Sequence, residues 1–205
     1  MIHRFEPVAL GRRIDGLPSW GRLAFGALLL ERAIPNFLRF EAETGAAGGA
    51  MLRGAQAKVW GLLEGDNATA PFLEITGKTC EIFAPDTERY TSPYTSSALD
   101  AITIACNVLD YSDLHRTELL VESAGLRRDS VDMFLQRVMQ VNSSSVDFEA
   151  RFLTHTLMQE ELGFQDADLA YLEDCQSKGS QTWSVVLRRS IDLSYSKLRM
   201  LPSRE

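Results

Sequence analysis

The chain has no apolar run near the 18 or so residues that a membrane helix needs; its longest, Leu23 to Leu30, is interrupted by Gly26. Its first residues, MIHRFEPVALGRR, lack the apolar core and small-residue cleavage site of a signal peptide, so the cytoplasm is the expected location. Cysteine is scarce: Cys80, Cys106 and Cys175 are odd in number, widely spaced and without a Cys-x-x-Cys pair. That excludes a disulfide framework and implies a reducing environment, with Cys80 and Cys106 acting as small buried apolar residues. Histidine is scarcer still in any useful arrangement. His3, His115 and His155 form no His-x-x-x-His pair, and no helix carries the Glu-x-x-His of a di-iron bundle. No metal and no cofactor are expected.

Other catalytic signatures are missing as well. There is no Gly-x-Ser-x-Gly, and no cysteine stands beside a histidine. The glycines of residues 44–49 (TGAAGG) are not followed by Lys-Ser or Lys-Thr, so they are not a phosphate loop. Net charge is −7 and basic residues do not interleave with aromatics, which argues against nucleic acid and against anionic membrane surfaces as partners. Strand-like alternation is confined to Ile191 to Tyr195. No repeat of helical-array period is visible.

What the chain does have is helical periodicity. Leu23, Ala24, Phe25, Ala27, Leu28, Leu29 and Leu30 leave no polar stripe, so the helix opening near Pro18 and Ser19 is expected to be buried on several sides. The apolar rhythm continues past Pro35 to Phe37, Leu38 and Phe40. Proline removes the N–H that would bond the Glu31 carbonyl, so a kink is expected there, beside Glu31, Arg32 and Asn36. Further helices are expected over residues 5–14, 50–63, 69–83, 92–110, 113–140 and 146–162. Val8, Ala9, Leu10 and Ile14 should face inward on the first, and Leu114 should face inward on the sixth. Ser92-Pro93 reads as a helix start, and Tyr111-Ser112 as a break. Gly125 and Gly163 are places where a helix bends or ends. Ser144 with Asp147 resembles a capping box.

These elements predict an all-α protein of one domain: about seven helices around a Pro-kinked central helix, with a core over residues 5–175. Residues 176–205 are expected to form an irregular or extended arm. The arm holds six basic and two acidic residues, so a basic tail follows an acidic body.

Candidate chemistry then rests on carboxylates set in apolar helices. Glu31 follows a leucine run and Asp100 lies between Leu99 and Ala101; buried there, each must be paired or protonated. Pairing with Arg32, Arg39 or another helix's arginine is the structural reading. The functional reading has Glu31, Asn36 and Asp100 line a cavity. His115, Glu118 and Glu122 could offer three metal ligands on one helix face, although a solvated first turn explains them equally. Trp20 and Trp60 read as core fillers.

The segment LAFGALLLERAIPNFLRFEAETG, with Glu31-Arg32 followed by Pro35-Asn36 and an aromatic, resembles the YjaG-like bacterial family, domain of unknown function 416. Trp60, and Pro93 ahead of Ala98-Leu99-Asp100-Ala101, fit the same resemblance in order. It covers about residues 10–175 and implies an all-helical cytoplasmic protein without an assigned activity. Glu31, Arg32, Asn36, Trp60 and Asp100 match positions of its motif. The expected function is a non-enzymatic protein-interaction module that binds an unknown protein or self-associates, as a homodimer for example. The alternative is a small-molecule-binding protein or enzyme with a pocket near Pro35 that uses Glu31 and Asp100.

Overall fold

The computed structural model describes residues 2–65, 74–139 and 148–177. Eight helices are found among them: α1 Pro7–Gly16, α2 Ser19–Thr44, α3 Gly49–Glu64, α4 Gly77–Glu81, α5 Thr95–Leu114, α6 Thr117–Met139, α7 Phe148–Thr154 and α8 Thr156–Ser177. The described residues contain no strand. The fold is all-α.

α2 is the centre because its leucine-rich turns are apolar on every side. Every residue from Ala24 to Ile34 is buried. The helix touches α1, α3, α5, α6 and α8, and packs most extensively on α5. α5 in turn lies along α6, so α2, α5 and α6 form the body of the molecule. Phe25, Leu28, Leu29, Leu30, Leu52, Ile102 and Ile104 fill the space between them. α2 runs through Pro35 as one helix and ends at Gly45, whose φ of 71° gives the left-handed cap that glycine adopts without strain. Gly26 serves a different end. A Cβ placed there would lie 2.9 Å from Leu120 and 3.1 Å from Val108, so its absence lets α2 approach α5 and α6 closely.

Several expected boundaries move, each for a local reason. α1 keeps only Ile14 buried; Val8 is 69% exposed and Ala9 is also exposed, because only the end of this helix reaches the core. In place of the helix expected over 69–83, the described part has the five-residue α4, capped by Thr76, whose hydroxyl accepts the Thr79 N–H while Thr79 reciprocates. Residues 69–73 of that expectation lie outside the described residues. α5 starts after Ser92-Pro93, since Ser92 Oγ accepts the Tyr94 N–H in a turn of its own. Tyr111 does not break α5. It is buried against the core, and the helix continues to Leu114, ending at His115 with φ 55°. Leu114 is therefore 58% exposed at a helix end instead of facing inward.

α6 passes straight through Gly125. The helix expected at 146–162 is divided at His155, whose Nδ1 accepts the Leu157 N–H and so caps α8. Gly163 lies inside α8. The capping box at Ser144 and the C-terminal arm beyond Ser177 lie outside the described residues. Cys80 is fully buried, as expected, whereas Cys106 is half-buried and donates its thiol hydrogen to the Gly77 carbonyl.

The close approach at Gly26 sets a test. Gly26→Val is expected to lower unfolding free energy by about 2–3 kcal/mol through overpacking. Gly16→Ala, with nothing within 4 Å of the added methyl, should be neutral or stabilising by less than about 1 kcal/mol. Urea unfolding of both variants checks the contrast.

Candidate functional site

Two stripes of polar side chains face each other inside the protein. On α8, Glu161, Gln165 and Asp168 recur at i, i+4 and i+7, one face of a helix, with Leu162, Leu169 and Leu172 alongside. On α6, Ser123, Arg127 and Ser130 recur at the same spacing, and all three are buried. Arg32 projects from α2 between the two helices.

The contacts form one connected array. Arg32 Nη1 donates to Asp168 Oδ2, and Arg32 Nε lies 3.5 Å from Glu161 Oε1. Glu161 Oε2 accepts from Arg127 Nη2 at 2.9 Å, and its Oε1 accepts from Gln165 Nε2 at 3.1 Å. Gln165 Nε2 also donates to the Ala124 carbonyl at 3.1 Å. Both arginines and both carboxylates are at most 8% exposed at their side chains. Charges so deprived of water persist only when paired. Burial works against the Arg32 charge, yet Asp168 and Glu161 more than offset it and hold its pKa above the ordinary value. Among the described residues, Arg32 Nη2 and Arg127 Nε and Nη1 have no hydrogen-bond partner.

Asp100 joins the array from α5. Its Oδ2 accepts from Ser130 Oγ at 2.7 Å, one turn along α6 from Arg127. Burial pushes its carboxyl up to about 6; the Ser130 bond opposes this, Asp129 adds to it and the Arg127 charge opposes it. So the structure links Arg32 and Asp100, which the sequence had singled out, through Glu161 and Arg127, which it had not. Glu31 is buried on α2 beside Arg32. Asn36 is half-buried one turn on and takes no part in these bonds. Trp60 fills the core on α3.

The metal reading loses its geometry. His115 ends α5 while Glu118 lies on α6 with its side chain 79% exposed, and no group of three ligands converges among the described residues. Burial pushes the Cys80 thiol up to about 11 and the Cys106 thiol up to about 12, which disfavours the thiolate at both.

Among the described residues, three cavities cluster elsewhere, around Phe5. One, of about 610 Å³, is an open groove between α1 and α6 with Val121 and Leu126 on its floor. Others of about 330 Å³ and 200 Å³ lie towards α8. None of the five residues singled out in the sequence lines any of the three.

Comparison with known proteins agrees with the fold. The family model described as "Protein of unknown function (DUF416)" matches residues 9–194. That match extends the resemblance into the basic arm, beyond the residue 175 expected from the sequence. A crystal structure of a DUF416 family protein from Shewanella baltica OS155 superposes with a TM-score of 0.75 at 18% identity, covering 89% of this chain and 93% of that one. No curated protein matches.

Two predictions follow from the array. Replacing Arg32 by Met removes the cation between the buried Asp168 and Glu161 and should cost about 3–5 kcal/mol in urea unfolding. For Asp100 the folded pKa of about 6 exceeds the ordinary value of about 3.9. Its contribution to stability is thus fully present below pH ~4 and lost as pH rises through about 6. Relative to Asp100→Asn, the parent protein should lose up to about 3 kcal/mol between those limits, read from unfolding curves at a series of pH values.

Proposed function

On the premise that the chain belongs to the DUF416 family of proteins of unknown function, we propose that it is a non-enzymatic, cytoplasmic protein-interaction module whose α1–α6 groove takes a basic segment bearing apolar side chains. The observation that carries this is the groove itself. Its floor is apolar and Val8 stands 69% exposed beside it, while Asp15, Glu118, Glu122 and Asp129 outnumber Arg12 at its edges. An apolar floor supplies affinity and a rim of one sign selects a partner of the other. The buried acids and bases support the same reading, because Arg32, Arg127, Glu161 and Asp168 are engaged with one another. In composition, residues 176–205 of this chain, with six basic residues against two acidic, are such a segment, which makes self-association one form of the proposal.

A synthetic peptide of residues 184–205, titrated onto the full chain, tests it. Saturable binding is expected at low salt. It should fall away near 1 M salt, where the screening length is about 3 Å, and in the Val8→Asp variant. Absence of binding, or binding indifferent to Val8→Asp, contradicts the proposal.

A second reading, a small-molecule-binding protein or enzyme that uses Glu31 and Asp100, is favoured by the buried Arg32 and Arg127 donors that find no partner among the described residues. Such donors suit an anion. Native mass spectrometry of protein from its own host decides: added mass of a few hundred daltons supports the ligand, whereas the bare 22.9 kDa chain or a clean multiple of it argues against one.

A further inference from the structure

Residues 2–6 precede α1 as an extended arm lying between α6 and α8. Exposure alternates along it: Ile2, Arg4 and Glu6 are exposed, His3 and Phe5 half-buried. That is the two-residue period of an extended chain with one face inward. A single side chain grips the His3 main chain at both polar atoms. The His3 N–H donates to Gln159 Oε1 at 2.8 Å, and Gln159 Nε2 donates to the His3 carbonyl at 2.9 Å. A primary amide that offers acceptor and donor side by side imitates a strand edge, and it reads main chain without regard to sequence.

Selectivity comes from the two inward side chains. His3 Nδ1 lies 2.6 Å from Asp166 Oδ2, and the imidazole passes so close to α8 that a Cβ at Gly163 would stand 3.4 Å from Nε2. The Phe5 ring lies under the Arg128 guanidinium, 4.8 Å from it, and against Gly125 of α6, where a Cβ would come within 3.5 Å. Phe5 is also the one side chain common to all three cavities, with Leu162 of α8 lining the two on its far side. The groove falls within the stretch that the family model matches, whereas the arm precedes that stretch.

We propose that the α6–α8 groove is a docking site for an extended peptide of a partner protein, one bearing an imidazole and, two residues on, an aromatic ring, and that residues 2–6 occupy it in cis until such a peptide displaces them. The arm itself states the chemistry that the groove accepts. Its polar anchor is open to solvent, since Asp166 is half exposed at its side chain, and its tie to α1 is the Glu6 carbonyl, which accepts the Leu10 N–H and stays with the helix when residues 2–5 leave. The site shares Phe5 and Gly125 with the α1–α6 groove, but Gln159 and Asp166, which hold the arm, do not line that groove, so a test through Gln159 is independent of the reading given to it.

The probe is a fluorescent peptide copying residues 2–7, IHRFEP, followed by anisotropy with the full chain carrying Phe5→Ala. A second variant lacking residues 2–5 guards against misfolding of the first, and circular dichroism reports helix content in both. Saturable binding is expected to either variant. The parent protein should bind at least about tenfold more weakly, because its own arm competes at high effective concentration. Adding Gln159→Ala should abolish binding, as should a probe with its His and Phe both replaced by Ala. A folded variant that gives no saturable binding, or binding unchanged by Gln159→Ala, overturns the proposal. So does a parent protein that dimerises through Gln159, for then the occupant is the arm of a second copy.

Discussion

Arg32 keeps its charge at any pH a cell experiences, and the leucine-rich turns of α2 carry it to the middle of the protein, where its side chain is 3% exposed. A cation there is tolerable only if carboxylates reach it, and α8 supplies two, Asp168 and Glu161. The second of these brings in Arg127 of α6, and beside Arg127 stands the Ser130–Asp100 pair of α5. One buried charge on the central helix thus fixes which faces of three neighbours must turn towards it. Apolar packing of α2 on α5 would tolerate some sliding, whereas a guanidinium fork between fixed carboxylates does not.

The α8 register set in this way determines what the outer surface looks like. With Glu161, Gln165 and Asp168 inward, Gln159 and Asp166 fall on the outer face of α8, where they hold the main chain and side chain of His3. Arg13 of α1 then bonds Asp166 and Glu173, tying the first helix to the last described one. The grooves on either side of Phe5 follow from those placements. The buried array and the seat of His3 are thus two faces of the same helix.

Much of the architecture was legible because it depends on local pattern. The unbroken apolar surface of residues 23–30 announced a central helix, and the three glycines of residues 44–49 announced its end. Glu31 and Asp100 stood out as carboxylates in apolar helices, with Arg32 as a possible partner. What could not be read was their partnership, since Glu161 and Arg127 lie 129 and 95 positions from Arg32, and only the packing of α6 and α8 brings them to it. A signal existed, in the polar i, i+4, i+7 spacing of 161–165–168 and 123–127–130, but each stripe alone reads as a solvated face. The boundaries at His115 and His155 were missed for a related reason. One depends on a left-handed backbone at a non-glycine residue, and the other on an imidazole cap, neither of which periodicity reports.

The claim that the Arg32 array fixes the packing of α2 against α8 is tested most directly by a double-mutant cycle on Arg32→Met and Asp168→Leu, followed by urea unfolding. If the array is coupled as described, each single change leaves a buried charge without its opposite number across the Arg32–Asp168 pair, and the double variant is more stable than either single one. Losses that simply add, with the double variant the least stable of the set, would show that the two side chains act independently and would contradict the account.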